Sequence, residues 1–233
     1  MEKPFTAFGA SHIIVFALTL AVPVALVSLA RGRSNERPAR TISLTFAAAL
    51  IAIWVIWYGL IVQRGWISAQ TVLPMNLCDW ATITTIATLT RPNERSYELA
   101  YFWALSGTLQ ALVTPELFYD FPDLRFIIFF VFHGGTIAAV LFLTLARGMR
   151  PYPSSLPRVI AWSLLYLACA LGVNRLFGTN FGFLSAKPAK PSLLDVLGPW
   201  PLYVFEIVAL GILYLLLLYA PFFVADRLRV RRT

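Results

Sequence analysis

Seven apolar stretches, each near the ~20 residues a helix needs to cross a bilayer, take up most of this 233-residue chain. They fall at about 11–30, 42–62, 72–90, 97–114, 125–146, 156–177 and 200–224, with charged or Pro/Gly-bearing loops between them. Lipid offers no hydrogen-bond partner to an open backbone, and the alternation of barrel strands is missing, so the stretches read as helices. The expected fold is all-α: one polytopic membrane domain over 1–233, a bundle of seven transmembrane helices.

Composition narrows the class further. Hydrophobic residues make up 59% and charged residues 13%, against roughly half and a quarter in soluble domains. A net charge of +8 suggests nucleic acid at first sight, but the basic residues sit in short loops where they set topology. Nucleic acid is therefore not an expected partner. Cys78 and Cys169 lie in different apolar spans, which excludes a secreted disulfide framework and a CxxC metal or redox site. No metal and no cofactor is expected. The first span follows Lys3 without a clear small-residue cleavage site and is read as retained.

Orientation follows from Lys and Arg. One set of alternate loops holds Arg31, Arg33, Arg37, Arg40, Arg91, Arg95, Arg147, Arg150, Arg158 and the tail Arg227, Arg229, Arg231 and Arg232, which is 13 of the 19 basic residues. The other six are Lys3, Arg64, Arg125, Arg175, Lys187 and Lys190. The positive-inside bias then puts the N-terminus outside and the C-terminus in the cytoplasm of a multi-pass plasma (inner) membrane protein. Trp66, Tyr119, Trp200 and Tyr203 fall near the outer ends, where amphipathic rings favour the interface. The longest outer loop, 178–199, carries enough Gly and Pro to forbid a long helix and is expected to be ordered, folding over the outer mouth.

Polar residues inside the spans gather at one level. A rise of about 1.5 Å per residue puts Cys78 roughly 9 Å and His133 roughly 12 Å below the outer ends of their helices. Asn76, Asp79, Gln110, Asn174 and Glu206 fall in the same layer, with Asn180 just beyond it in the loop, whereas the opposite half of the spans holds almost nothing ionisable. Charge near the bilayer centre costs about 3 kcal/mol or more, so such residues usually face a cavity and one another.

That layer contains the parts of an acyl-transfer site. A thiol becomes a nucleophile when a neighbouring imidazole takes its proton, and a thioester then splits one hard transfer into two easier steps. Cys78 and His133 supply these groups; Asp79, Glu206 or Gln110 are candidates to orient the ring, and Asn76 to donate to an oxyanion. Each also has a structural reading: packing for Cys78 and Cys169, a satisfied buried ring for His133, an interfacial ring for His12, and an ion pair with Arg175 or Lys187 for Glu206. Two glycines after His133, Gly134 and Gly135, imply close approach of another helix or of a ligand.

Four blocks carry a family resemblance: LPMNLCDW at 73–80, ELAYFWALSGTLQALVTPEL at 98–117, FPDLRFIIFFVFHGG at 121–135 and GTNFGFLSAKPAKPSLLDVLGPWP at 178–201. On these the chain resembles the YwaF-like integral membrane proteins and, more distantly, an animal family with a cysteine-dependent phospholipid acyltransferase. The resemblance implies a Cys on an early helix paired with a His on a later one, here Cys78 and His133. It implies transfer of fatty acyl groups between phospholipids through a cysteinyl thioester. The pattern departs at Asn76, where many bacterial members carry His; the departure is tolerable if His133 is the base.

Three classes of function fit the layer: an acyltransferase or acyl hydrolase with membrane phospholipids as partners, a small-solute transporter or binding protein, and a non-enzymatic scaffold. Transport is disfavoured by the lack of an internal repeat and of polar groups leading to the other side. Two histidines on the same side make a poor axial pair for haem. The sequence leaves the oligomeric state open.

Overall fold

The computed structural model of the chain describes residues 3–30 and 36–230. Arg31 and Arg33 of the first basic loop, and Arg231 and Arg232 of the tail, lie outside the described residues. The described chain is helical, with one isolated antiparallel bridge, Pro4 to Tyr119. Five helices are long and apolar enough to cross a membrane: α1 (Ala10–Ala30), α2 (Arg37–Arg64), α7 (Leu124–Ala146), α8 (Ser155–Phe177) and α9 (Leu202–Val230). The protein is thus a multi-pass membrane protein whose apolar helices contact lipid.

The stretches expected to form the other two spans are each broken into shorter helices. The third divides into a single turn, α3 (Ala69–Val72), and a 14-residue helix, α4 (Leu77–Thr90). Pro74 explains the break: it has no N–H to donate and keeps Leu73 extended, at φ −84° and ψ 127°. The fourth runs from α5 (Glu94–Trp103) through a widened π turn, Ala104–Thr108, into α6 (Leu109–Val113). Within that turn the Leu109 N–H reaches back five residues to the Ala104 carbonyl.

Helix α7 is the hub. Of its apolar stretch 67% is buried, against 11% for α9 and 17% for α1 and α8, so the outer helices carry the lipid-facing surface and α7 lies between them. It packs on α1, α2 and α4. Both glycines after His133 serve these contacts. A Cβ on Gly134 would stand 2.6 Å from Thr19 Oγ1 of α1, and one on Gly135 would stand 3.3 Å from Leu50 Cδ2 of α2. Helices, not a ligand, occupy the space those residues leave.

Two polar clusters fix the ends. Ahead of α1, Asp120 takes Lys3 Nζ at 2.6 Å, the Ser11 hydroxyl at 2.5 Å and the Phe121 N–H at 2.7 Å. Burial pushes this carboxyl up, but those donors outweigh it and hold it below the usual carboxylate range. Beside it His12 is buried and satisfied on both sides: Nδ1 accepts from the Phe8 N–H (2.9 Å) and Nε2 donates to the Leu112 carbonyl (2.8 Å). His12 joins α1 to the end of α6 and is not an interfacial ring. At the far end of α5, buried Glu98 is held by Arg158 of α8. That half of the bundle therefore does hold an ionisable group, made tolerable by its partner.

Candidate functional site

One cavity of about 660 Å³ opens where α2, α4, the α5–α6 segment, α7, α8 and α9 converge. Its wall combines apolar surface with polar and charged groups. Gln70, Glu116, Arg125, Asn180, Lys190 and Ser192, from helix ends and connecting segments, supply polar and charged groups. Trp54, Ile128, Phe132, Ile160, Leu164 and Leu215, from helix interiors, supply apolar surface. Cys78 and His133 both line it.

Cys78 is the second residue of α4, and its position depends on how that helix begins. The Asp79 carboxylate turns back to accept the Asn76 N–H at 2.8 Å, which satisfies a donor just ahead of the helix and fixes its entry. The start of α4 lies hard against the π turn, where a Cβ on Gly107 would come within 2.8 Å of Leu77 Cδ2. A side chain there would require Leu77 to shift. The next residue, Thr108, is buried and interacts with the Cys78 thiol, yet its Oγ1 finds no hydrogen bond of full geometry among the described residues.

The two helices bearing the thiol and the imidazole run the same way. Cys78 packs against the Ile128 and Phe132 cluster, while one turn further on Thr82 Oγ1 meets Thr136 Oγ1 at 2.9 Å. Thr82 follows Cys78 by four residues and Thr136 follows His133 by three, each about one helical turn. The contact thus brings thiol and imidazole to a common level on adjacent helices.

The ring of His133 is oriented by its own helix. Its Nδ1 lies 2.8 Å from the Phe129 carbonyl, which can only accept, so the proton sits on Nδ1 and the lone pair on Nε2. The Phe129 ring stacks on the imidazole at 4.1 Å and 27°, and Phe132 meets it edge-on at 5.2 Å. A carbonyl thus does what a carboxylate does in many triads, and Asp79 is engaged in capping α4.

Of the other residues singled out, Asn76, Asp79, Gln110 and Asn180 line the cavity; Asn174 and Glu206 do not. Gln110 Nε2 donates to Thr114 Oγ1 at 2.9 Å. Asn174 anchors the segment 178–199: Nδ2 donates to the Phe181 carbonyl, and Oδ1 accepts from Thr179 Oγ1 and the Phe181 N–H. Glu206 accepts the Gly198 N–H at 2.8 Å in place of the expected ion pair, and Lys187 donates to the Leu197 carbonyl. Asn180 spends its side chain on Ser185 and Ala186 backbone groups, although it also faces the cavity. Cys169 stands outside the lining.

Inspection of the sequence overlooked Tyr166 of α8. Its ring meets Trp80 edge-on at 5.4 Å, it lines the cavity, and its buried hydroxyl has no hydrogen-bond partner among the described residues. That oxygen lies near the Leu77 N–H, at the start of the helix that carries Cys78 and Asp79. A Cβ on Gly182 would stand 2.9 Å from it. Leaving a buried hydroxyl unpaired costs about 1–3 kcal/mol, and the Tyr166 hydroxyl stands so in the wall of the cavity that Cys78 lines.

The TMEM164 family model matches residues 7–219, nearly the whole chain. The chain belongs to the TMEM164 family. An uncharacterized protein of Treponema pallidum (strain Nichols) is 28% identical over 225 residues, spanning 94% of this chain and 90% of that one. No solved structure matches. The family match takes in the thiol, the imidazole and every helix that lines the cavity, so the site lies within the family's shared domain.

Proposed function

We propose that this membrane protein is an intramembrane phospholipid acyltransferase, or acyl hydrolase where water is the acceptor, with Cys78 as nucleophile and His133 as base. The observation that carries the reading is a single cavity, mainly apolar but with charged groups on Glu116, Arg125 and Lys190, lined by both a free thiol and an imidazole whose lone pair is on Nε2. A phospholipid likewise combines a charged head with apolar chains. The resemblance to an animal family with a cysteine-dependent acyltransferase, and to YwaF-like bacterial proteins, supports the same assignment.

The chemistry runs in two halves. His133 Nε2 takes the Cys78 proton as sulfur attacks the ester carbonyl, forming a carbon–sulfur bond and a tetrahedral oxyanion. Collapse restores the carbonyl, breaks the ester carbon–oxygen bond, and returns the proton from His133 to the departing lysolipid hydroxyl. An acceptor hydroxyl, or water, then gives its proton to His133, attacks the thioester and releases the thiol.

The same reading includes seven crossings. The α5–α6 segment, Glu94–Val113, rises about 30 Å, and α4 about 21 Å, at 1.5 Å per residue; these two complete the five longer helices. The positive-inside bias supports an external N-terminus in the plasma (inner) membrane and places the cavity mouth on the external side.

The test is transfer of an isotopically labelled acyl chain from a phospholipid to a lysophospholipid by the purified protein. Cys78→Ala is expected to abolish transfer and Cys169→Ala to keep it. Equal rates in both variants would overturn the assignment and leave the cavity as a binding, transport or scaffold feature.

A further inference from the structure

If Cys78 attacks an ester, the charge that appears on the carbonyl oxygen needs donors that are idle beforehand. In the resting structure most polar side chains near the thiol are committed: Asp79 caps α4, Gln110 bonds Thr114, and Asn180 holds its own loop. The Tyr166 hydroxyl is not. It is buried, lines the cavity that Cys78 also lines, has no partner of full geometry among the described residues, and sits by the Leu77 N–H, the first of the helix that carries Cys78.

The ring is firmly held. Tyr166 packs in a cluster with Ala170, Phe181 and Leu184, and with Leu77 and Trp80 of α4. Gly182 faces the hydroxyl with no side chain, at φ +65°, where a Cβ would come within 2.9 Å of the oxygen. The segment 178–199 thus leaves this oxygen unobstructed and unpartnered. The first N–H groups of an α-helix have no partner inside it and carry the positive end of its dipole. An anion formed between Leu77, Cys78 and Tyr166 therefore meets an O–H donor and a helix N-terminus together.

We propose that the Tyr166 hydroxyl, with the Leu77 N–H, forms the oxyanion site for the acyl transfer assigned to Cys78. This rests on the acyltransferase reading above. Tyr166 keeps its proton throughout: as the carbon–sulfur bond forms, the carbonyl π electrons move to oxygen and that oxygen accepts hydrogen bonds from the Tyr166 O–H and the Leu77 N–H. When the carbon–oxygen double bond re-forms, both donors are released.

The experiment compares Tyr166→Phe with the unaltered protein by two readouts on the same preparation. The first is the rate at which a labelled phospholipid acylates Cys78 in a single turnover. The second is the rate at which iodoacetamide alkylates Cys78, a displacement at a saturated carbon that creates no oxyanion. Loss of one oxyanion donor lowers acyl transfer by about 10²–10³-fold, so acylation is expected to fall by that factor with alkylation unchanged. An acylation rate within about threefold of the unaltered protein would overturn the proposal, and so would parallel loss of both rates, which marks a structural role. Because removal of an unpartnered hydroxyl relieves its burial cost and leaves the ring's packing intact, the thermal midpoint should not fall. Absence of Cys78-dependent transfer in the unaltered protein would defeat the acyltransferase reading itself, a result separate from failure of Tyr166→Phe alone.

Discussion

The two histidines occupy opposite circumstances. His12 has a partner on each ring nitrogen and no place in the cavity lining, while His133 ties down one nitrogen to Phe129 and keeps a lone pair on the other in a cavity that a free thiol also lines. The surroundings follow suit. Around His12 and Asp120 the polar groups close on one another, whereas in the wall of that cavity the buried Tyr166 hydroxyl is left unpaired. An unmade buried hydrogen bond calls for an explanation, so the contrast separates a joint from a candidate site.

The contrast can be broken most decisively at His133. His133→Ala is expected to lower acyl transfer by about 10²–10⁴-fold, the usual worth of a general base, with the thermal midpoint little changed. A variant that retains its rate would make His133 another joint. His12→Ala should do the reverse. It strands the Phe8 N–H and the buried Leu112 carbonyl, for a loss of about 2–4 kcal/mol in unfolding experiments, while activity per folded molecule is preserved.

A smaller effect is expected next to the site. Gly134→Ala puts a methyl within 2.6 Å of Thr19 Oγ1 and should cost about 1–3 kcal/mol, typical of overpacking. Adding Thr19→Ala should restore most of it, and the non-additivity of the pair measures the α1–α7 contact. If the two changes simply add, the glycine serves something other than that crossing.

The smallest effect is a pH dependence at Asp120. Its folded pKa lies below the unfolded value of about 3.9, so its stabilisation is complete above that value and is lost as pH falls through the folded pKa. Asp120→Asn should flatten this acid limb in unfolding measurements at pH 2–6. The effect is small because Lys3 is 67% exposed and screened by solvent. An unaltered limb would assign it to another carboxylate.

The long helices were legible in the sequence because lipid demands continuous apolar runs, and their ends agree within a few residues for α1, α7 and α8. Hydropathy says nothing about hydrogen-bond register, so neither the break at Pro74 nor the π turn at Ala104–Thr108 was evident. The site was legible in depth alone. Counting residues brought Cys78 and His133 to one level, but it gives no azimuth around the helix. That is why Asn174 and Glu206, at the correct level, turned out to lie outside the cavity lining and to pin a segment that forms part of its wall. Tyr166 escaped notice for the converse reason: a tyrosine in a leucine-rich run looks like packing until its hydroxyl is found without a partner.

The widened turn in the fourth span has a corollary for how this thiol's neighbourhood arose. A five-residue reach in place of four amounts to one additional residue inside an otherwise regular coil. Excise that residue and the coil would close smoothly, with better local geometry, yet everything on one side of it would swing by roughly 100°. The close approach of Gly107 to Leu77, at the start of the helix that carries the sulfur, would be lost with that swing.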